Sequence, residues 1–357
     1  MSGFVTNGRT STMCESCAAP GQPGAQQGLN RRGLLRAAAV GGVAATGIAG
    51  IAPAASAAVP AARAAATVRP AGRAGVSMRW LGVAGWELNI DGRILYFDPY
   101  VSRFDYTAEG GALRPDPTVV TTLLATGRLA GPPELIMVSH GHWDHLSDVP
   151  QLLGRPGWGD AVIRTMGGET QRNLLTAMGV SEQRLANFIT VSGGEDLTFG
   201  PYQVQVVRSL HSQSKGYGYG YPGLRVAPPP PPTKVSELVE GGTLAYQVTV
   251  PDRIKILMFG GTNFVERELA GLRPDVVAIS MTDFSSVNRY LERLLTVLGG
   301  PRYVIPVHND DMITGYDSPK LPDTVNRAPV EQLRATISAL RLSTQVIEPR
   351  HLEPINF

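Results

Sequence analysis

The residues best suited to chemistry lie in one short stretch, which reads His140, Gly141, His142, Trp143, Asp144 and His145 and holds three of the chain's six histidines. Imidazole nitrogens and a carboxylate oxygen are ligands that divalent zinc, manganese or iron accept in proteins. Gly141 lets the backbone bend, so that neighbouring side chains can converge. A continuous apolar run over 135–139 precedes the stretch, and a polar cluster that follows a buried strand is a usual place for a site. The pattern predicts a metal site, and a set of polar surface residues is the weaker alternative.

Strand patterns and helix patterns alternate around these histidines. Short apolar runs bounded by turn residues predict strands over 76–83, 86–90, 93–97, 135–139, 188–191, 196–199, 202–210, 243–250, 254–259 and 303–307, with Asp91-Gly92 as a hairpin turn. Apolar residues at helical spacing predict helices over 168–178, 287–298 and 330–340, the second with Ser285 or Ser286 as its cap. Strand-rich blocks that are each followed by amphipathic helices predict an α/β sandwich, whose sheets are covered by helices on their outer faces.

One long irregular segment, residues 212–242, follows His211 directly. Tyr217, Tyr219 and Tyr221 alternate with glycines in its first part, and five consecutive prolines occupy 228–232. A loop of this length is usually functional or disordered, so the segment is either a flap over the site or an ordinary surface loop. Tyr217 and Tyr219 are candidates to contact a substrate or donate a proton.

The stretch 140–145 has the pattern HxHxDH, and in this the chain resembles the metallo-β-lactamase superfamily. The opening block from Trp80-Leu81-Gly82 to Phe97-Asp98-Pro99 is similar to the family's first hairpins, so that the resemblance spans about residues 76–310. It implies a four-layer αββα sandwich. Residues 142–148 are similar to the ascorbate-phosphate lactonase-like and N-acyl-phosphatidylethanolamine phospholipase D-like branches.

Carried over by position, the resemblance implies two groups of ligands for one or two divalent ions. The first group comprises His140, His142 and His211, and the second comprises Asp144, His145 and His308. The family takes its later ligands from strand ends, where His211 and His308 both lie. Asp144 is implied to orient the nucleophile as well as bind metal, and Asp98 is a candidate acceptor that fixes a ligand histidine. Zinc is the expected metal, with manganese and iron as alternatives.

The chain departs from the family at one position. The family's bridging aspartate stands in a Gly-Asp-Thr turn, whereas the matching residues here are Gly260, Gly261 and Thr262. The outcomes left open are two metals bridged by solvent, one occupied metal, or a binding protein that keeps the fold. Another carboxylate could take over the bridge, and the candidates are Asp283, Asp310 and Asp311. Without an anionic bridge, we expect the second group to bind its ion more weakly than the first.

The leading functional hypothesis is a hydrolase in which metal-bound hydroxide attacks an ester-like centre, either a lactone carbonyl or a phosphodiester phosphorus. Its substrate is expected to be a small molecule. The alternative is a non-catalytic metal- or ligand-binding protein that lost turnover with its bridge at Gly261. A redox enzyme resembling the flavodiiron branch is disfavoured, because it needs further carboxylates and a flavin partner. His351 matches no motif position and is interpreted as a packing or surface histidine.

The first 57 residues resemble a Tat signal peptide. Arg31-Arg32 precedes a weakly apolar stretch over 37–52, and Ala55-Ser56-Ala57 offers small residues for cleavage. We therefore expect export through the Tat pathway, a low-complexity linker over 58–75 and a hydrolase domain over 76–357. Cys14 and Cys17 lie before the twin arginine, so the mature domain is expected to contain no cysteine and no stable membrane span.

The charge of the chain is nearly balanced. Four arginines and one glutamate give residues 1–57 a net charge of +3, and the whole chain carries +2, which leaves −1 on the remainder. A nearly neutral body gives no reason to expect nucleic acid as a partner. The oligomeric state does not follow from the sequence.

Overall fold

The computed structural model describes residues 75–214 and 217–357. The predicted signal peptide over 1–57 lies outside the described residues, as does the predicted linker except for Gly75. No helix in these two stretches is both long enough and apolar enough to span a bilayer. Cys14 and Cys17 also lie outside the described part.

Seven strands form the first sheet. In their order across the sheet they are β14 (Pro354–Asn356), β1 (Val76–Gly82), β2 (Gly85–Ile90), β3 (Arg93–Phe97), β4 (Leu135–Met137), β5 (Arg164–Gly167) and β6 (Phe188–Thr190). Pairing is antiparallel from β14 to β3 and parallel from β3 to β6. The hairpin between β2 and β3 turns at Asp91 and Gly92, both of which have positive φ angles, as the sequence predicts.

The second sheet also has seven strands. Across the sheet they are β13 (Gln345–Val346), β12 (Tyr303–Val307), β11 (Val276–Ser280), β10 (Ile254–Phe259), β9 (Leu244–Val250), β8 (Tyr202–Arg208) and β7 (Asp196–Phe199). Here β13 to β10 pair in parallel, and β10 to β7 pair antiparallel. Each sheet therefore combines hairpins with parallel strands whose carboxyl ends share one edge.

Helices cover both sheets. They are α1 (Pro117–Ala125), α2 (Trp143–Leu146), α3 (Val149–Leu153), α4 (Glu169–Ala177), α5 (Glu182–Leu185), α6 (Glu266–Leu269), α7 (Tyr290–Val297) and α8 (Ala328–Ala339). Short 3₁₀ helices lie at Ala108–Gly110, Val235–Glu237, Phe284–Ser286 and Leu321–Thr324. The first five α-helices pack on the first sheet, and the last three pack on the second.

Strand alternation accounts for the layers, because successive side chains point to opposite faces of a sheet. In β10, Ile256 and Met258 point into a core between the sheets, while Leu257 and Phe259 pack beneath the helices of the second sheet. In β3, Leu95 and Phe97 likewise join the central core, and Tyr96 joins the core under the first set of helices. The three cores separate four layers, and the predicted αββα sandwich is confirmed.

Several predicted boundaries of strands and helices are wrong. The strand predicted to reach Ser139 stops at Met137, and the backbone N–H of Ser139 donates to the Asp98 side chain at 2.7 Å. The strand predicted to reach residue 210 stops at Arg208. The helix predicted from 287 begins at Tyr290, because Arg289 takes a left-handed conformation, so neither Ser285 nor Ser286 caps it.

Candidate metal centre

The six predicted ligands come from three segments that follow strands, one of which includes helix α2, and they meet at one edge of the sandwich. His140, His142, Asp144 and His145 follow β4, His211 follows β8, and His308 follows β12 directly. The ligand atoms fall into the two groups implied by the resemblance, and within each group they lie within 4.8 Å of one another. The ring centroids of His140 and His145, one from each group, are 3.9 Å apart, so the two groups are adjacent.

Four of the five histidines are held through Nδ1. The partners are the hydroxyl of Ser139 at 2.8 Å from His140, a carboxylate oxygen of Asp98 at 2.8 Å from His145, the carbonyl of Ser212 at 2.9 Å from His211, and the hydroxyl of Thr282 at 2.7 Å from His308. A ring fixed at Nδ1 presents Nε2, which is the arrangement by which outer partners orient metal-binding histidines.

His142 is held the other way round. Its Nε2 lies 3.3 Å from the backbone carbonyl of Tyr221, and a ring nitrogen that donates to a carbonyl has no lone pair for a metal. Nδ1 is therefore the nitrogen that His142 can offer. Tyr221 belongs to the segment 212–242, so this segment contacts a ligand of the first group.

The donor set fits a divalent ion. Nε2 of His140 is buried and has no hydrogen-bond partner, although native structures rarely leave such an atom unsatisfied. A metal ion would satisfy it. Five imidazoles and one carboxylate form the nitrogen and oxygen set that zinc, manganese and iron accept. Either group supplies three ligands, as many as a catalytic zinc site takes from protein.

Burial keeps the first group neutral and ready to donate lone pairs. It lowers the pKa of His140 well below its usual value and that of His142 to about 3, helped by the neighbouring histidines. Burial also lowers the pKa of His211. A neutral imidazole is the form that binds metal.

The second group is electrostatically different because it contains a carboxylate. Oδ2 of Asp144 lies 3.5 Å from Nε2 of His145 and 3.3 Å from Nε2 of His308. Burial opposes ionisation of Asp144, but the charge and hydrogen bond of His145 outweigh it and hold the pKa of Asp144 well below its usual value. Burial likewise opposes the charging of His145, yet Asp144 and Asp98 raise the pKa of its imidazole to about 10. A metal ion at this group must therefore displace a proton.

Asp98 and Ser139 link the two groups beneath the ligands. The hydroxyl of Ser139 donates to Asp98 Oδ2 at 2.6 Å, and the same oxygen bonds to His145. Gly260 packs against this pair, because a Cβ atom there would lie 2.6 Å from Asp98 Oδ2 and collide with the Ser139 hydroxyl. The close approach explains a glycine at 260, where every larger residue would displace Asp98 or Ser139.

Gly261 offers no side chain to either group, and its surroundings are tight. A Cβ atom at this position would lie 2.9 Å from the carbonyl oxygen of Leu210 and 3.3 Å from Cα of His211. Both contacts are backbone atoms of the residues that follow β8, where the candidate ligand His211 lies. An aspartate at position 261 could therefore not be added without moving the backbone that positions His211. The next residue, Thr262, donates its N–H to the hydroxyl of Ser212 at 2.8 Å and holds that loop in place.

The candidate replacement carboxylates lie outside both groups. Asp310 is buried and bonds to Arg103 at 2.7 Å, to the N–H of Val83 at 3.1 Å and to His351 at 3.0 Å. Asp311 bonds to Arg103 and to the loop that follows it. Asp283 is exposed. Arg103 is a fully buried cation, and it is paired with both Asp310 and Asp311.

The remaining candidates occupy different surroundings. The ring of Tyr219 lies 4.9 Å from that of His211, whereas Tyr217 is 80% exposed and makes no ring contact among the described residues. His351 packs, as interpreted, with its ring stacked on Trp80 at 4.1 Å. The sequence predicted one partner of the ligand rings, Asp98, which bonds to His145. It missed the others, above all Thr282, which lies 26 positions before His308. Of the missed partners, Ser139 and Ser212 carried a signal, since each is next to a ligand histidine in the sequence.

Fold and site together define a class, that of the metal-dependent hydrolases built on two stacked sheets. The family model described as the beta-lactamase superfamily domain matches residues 77–308. The chain belongs to the beta-lactamase superfamily.

Two curated proteins and a solved structure are similar to the chain. A metal-dependent hydrolase of Cupriavidus taiwanensis is 27% identical over 286 residues, which are 78% of this chain and 85% of that protein. A metal-dependent hydrolase of Methanopyrus kandleri is 33% identical over 78 residues, 22% of this chain and 26% of that protein. The isothiocyanate hydrolase from Delia radicum gut bacteria shares the fold at 15% identity and a TM-score of 0.50, over 79% of this chain and 98% of that chain. The two curated relatives agree with the predicted enzyme class, a metal-dependent hydrolase.

Proposed function

We propose that the chain hydrolyses an ester-like bond, a lactone or a phosphodiester, with metal held by the two groups of ligands. The observation that carries the proposal is the convergence of six candidate ligand side chains, from the three segments that follow β4, β8 and β12, into two adjacent groups. Four of the rings are oriented by outer partners, as in metal sites generally. The likeness of residues 142–148 to the lactonase-like and phospholipase D-like branches favours these two bond types.

The roles of the metal ion and of the residues around it follow from their charge and position. When bound, zinc or a similar divalent ion supplies a Lewis acid that polarises the bond under attack and makes water acidic. Asp144 is ionised and accepts a hydrogen bond from the attacking water, which it thereby orients. Asp98 holds His145 in place, and Thr282 holds His308. Because the described residues contain no cysteine, a thiolate nucleophile has no part in this chemistry.

Replacing one ligand tests the proposal. We expect His142→Ala to lose bound metal and ester hydrolysis together, with metal content measured by elemental analysis and activity on a panel of lactones and phosphodiesters. His351→Gln is the matched control, because His351 is the one histidine outside the two groups. Full activity in His142→Ala would refute the proposal. Metal in the purified protein without turnover of any ester would favour the non-catalytic alternative. The lack of a bridging side chain at Gly261 supports that alternative.

We further propose that residues 1–57 direct export through the Tat pathway, with cleavage after Ala57, a linker over 58–75 and the hydrolase domain over 76–357. The twin arginine and the small residues before position 58 support this. Replacing Arg31 and Arg32 together by lysine should retain the protein inside the cell, and sequencing of the exported form should begin at Ala58. Export that survives the replacement would contradict the Tat route.

A further inference from the structure

A cavity of about 550 Å³ opens beside the first ligand group, and its wall includes His211 and Tyr219. The wall also includes the end of β8, the start of α4, the segment around residue 225 and residues 240–244. A substrate held at the ligands therefore has room to extend into this cavity. What the cavity would accept depends on the side chains that line it.

Two arginines in the cavity wall have no carboxylate partner among the described residues, Arg208 at an exposed position and Arg225 at a half-buried one. The guanidinium groups of Arg208 and Arg225 form no ion pair with any described carboxylate, and Arg208 makes no side-chain hydrogen bond among these residues. Nε of Arg225 is buried with no acceptor, and the group's one hydrogen bond is a 3.5 Å contact with the Leu224 carbonyl. By contrast, the guanidinium of Arg184 donates to three backbone carbonyls. A buried guanidinium N–H without an acceptor points to a ligand that supplies one.

Arg225 is held in place for such a role. Its backbone N–H donates to the hydroxyl of Thr170 at 2.9 Å, and its carbonyl accepts from the side-chain amide of Asn173 at 2.7 Å. Both partners lie on α4. The guanidinium therefore projects from an anchored backbone, which reduces the entropy lost when it binds an anion.

The acidic residues of the wall do not neutralise this charge. The carboxylate of Glu240 is buried and accepts from the N–H of Gly242 at 2.8 Å and the hydroxyl of Thr243 at 2.5 Å. Glu169 is exposed in the first turn of α4, where water screens its charge. The arginines are thus the cations in the wall whose charge no carboxylate of the wall neutralises.

Apolar side chains lie at the same opening. Among the described residues, large hydrophobic side chains that are exposed number seven, and five of them fall within 210–226. Leu210, Leu224 and Val226 line the cavity itself. Exposed apolar side chains grouped beside a pocket mark a ligand-binding surface.

We propose that this cavity selects substrates that carry an oxyanion, a carboxylate or a phosphate, at the end of a short apolar arm. Arg225 and Arg208 bind the oxyanion, Leu210 and Leu224 contact the arm, and the scissile bond lies at the ligand groups. The inference rests on the proposed function for its reaction and adds the class of substrate.

Matched esters test the inference on the metal-loaded enzyme. The 4-nitrophenyl esters of pentanoate, glutarate and 4-phosphonobutanoate differ at the far end of the arm, which is neutral, a carboxylate or a phosphonate. We expect kcat/KM to be at least about tenfold higher for one of the charged esters, because hydrogen bonds to charged groups are worth this much. The preferred ester distinguishes a carboxylate from a phosphate.

Variants identify the residue responsible. Arg225→Met should lower kcat/KM for the preferred charged ester about tenfold through KM, leave the neutral ester within about twofold, and be partly rescued in Arg225→Lys. Arg172→Met, on the exposed side of α4, is the matched control and should change neither. Equal losses on charged and neutral esters, or no preference in the wild type, would overturn the inference.

A binding measurement separates this inference from the proposed function. If the wild type cleaves none of these esters and none of the lactones and phosphodiesters of the panel, the hydrolysis proposal fails, and calorimetry with monomethyl glutarate and methyl pentanoate still tests the cavity. Binding of the anion that weakens at least about tenfold in Arg225→Met would support the inference. Equal binding of monomethyl glutarate and methyl pentanoate by the wild type would contradict it. So would equal binding of monomethyl glutarate by the wild type and by Arg225→Met.

Discussion

Nδ1 of His145 lies 2.8 Å from Oδ2 of Asp98, so that the end of β3 is joined to the metal-ligand helix α2 by a fully buried contact. The second ligand group is thereby attached to the first sheet. Asp98 also accepts both the N–H and the hydroxyl of Ser139, the residue that holds His140. One carboxylate thus positions a ligand of each group.

Loss of this charge should weaken metal binding. We expect Asp98→Asn to reduce the affinity for zinc by about 10- to 100-fold, because the neutral amide orients His145 less well and lowers its basicity. Competition with a chromophoric chelator measures the affinity, and circular dichroism reports whether the fold is kept. Asp160→Asn, at an exposed position, is the control. An unchanged affinity in Asp98→Asn would remove the positioning role.

Two ions should bind with unequal affinity. Gly261 supplies no anionic bridge between the two ions. Burial disfavours the charged imidazole of His145, but Asp144 and Asp98 outweigh it and raise the pKa of His145 to about 10. A proton on His145 therefore competes with the ion of the second group. Zinc titration of chelator-treated protein should resolve a tighter and a weaker ion. His308→Ala should abolish the weaker step and spare the tighter one. Two equally tight ions per chain would contradict the expectation.

The close packing at Gly260 predicts a cost for even one methyl group. We expect Gly260→Ala to lower the free energy of unfolding by about 1–3 kcal/mol, the usual cost of overpacking, because its Cβ would press on Asp98 and Ser139. Chemical denaturation measures the change. Gly159→Ala is the control, since a Cβ there meets nothing within 4 Å. Equal stability of the two variants would show that this contact relaxes freely.

Buried Asp148 should make stability depend on pH. Burial raises the pKa of its carboxyl to about 6 from the usual 3.8, although hydrogen bonds from Ser102 and Val101 oppose the rise. The folded chain therefore holds this proton to a higher pH than the unfolded chain, and the contribution of Asp148 to stability falls as pH rises from about 4 to about 6. Two pKa units correspond to about 3 kcal/mol.

Denaturation across this range tests the linkage. The stability of the wild type relative to Asp148→Asn should fall between pH 4 and pH 6 and then level off, since both folded and unfolded forms are ionised above that range. The comparison with asparagine cancels the titration of the other groups. A difference that stays constant with pH would mean that the pKa of Asp148 is not raised.

The sequence predicted the layers, and it indicated the candidate ligands within 140–145, because both signals are local. A run such as 254–259 is apolar at every position except Lys255, which predicts a strand with buried side chains on both faces, whatever the neighbouring strand. The spacing of His140, His142, Asp144 and His145 likewise lies within one loop. These features need no knowledge of the partner strands.

Other features were decided by which strands lie side by side. In the sequence, Asp310 is a candidate to replace the bridging carboxylate, but tertiary packing places Arg103, 207 positions away, against it. Thr282 meets His308 because β11 and β12 pair in parallel. Residue types and short spacings thus predicted the fold class and the cluster within 140–145, and the family resemblance added His211 and His308. The partner of each buried polar group depended instead on the tertiary structure, because a polar atom removed from water bonds to whatever long-range packing places beside it.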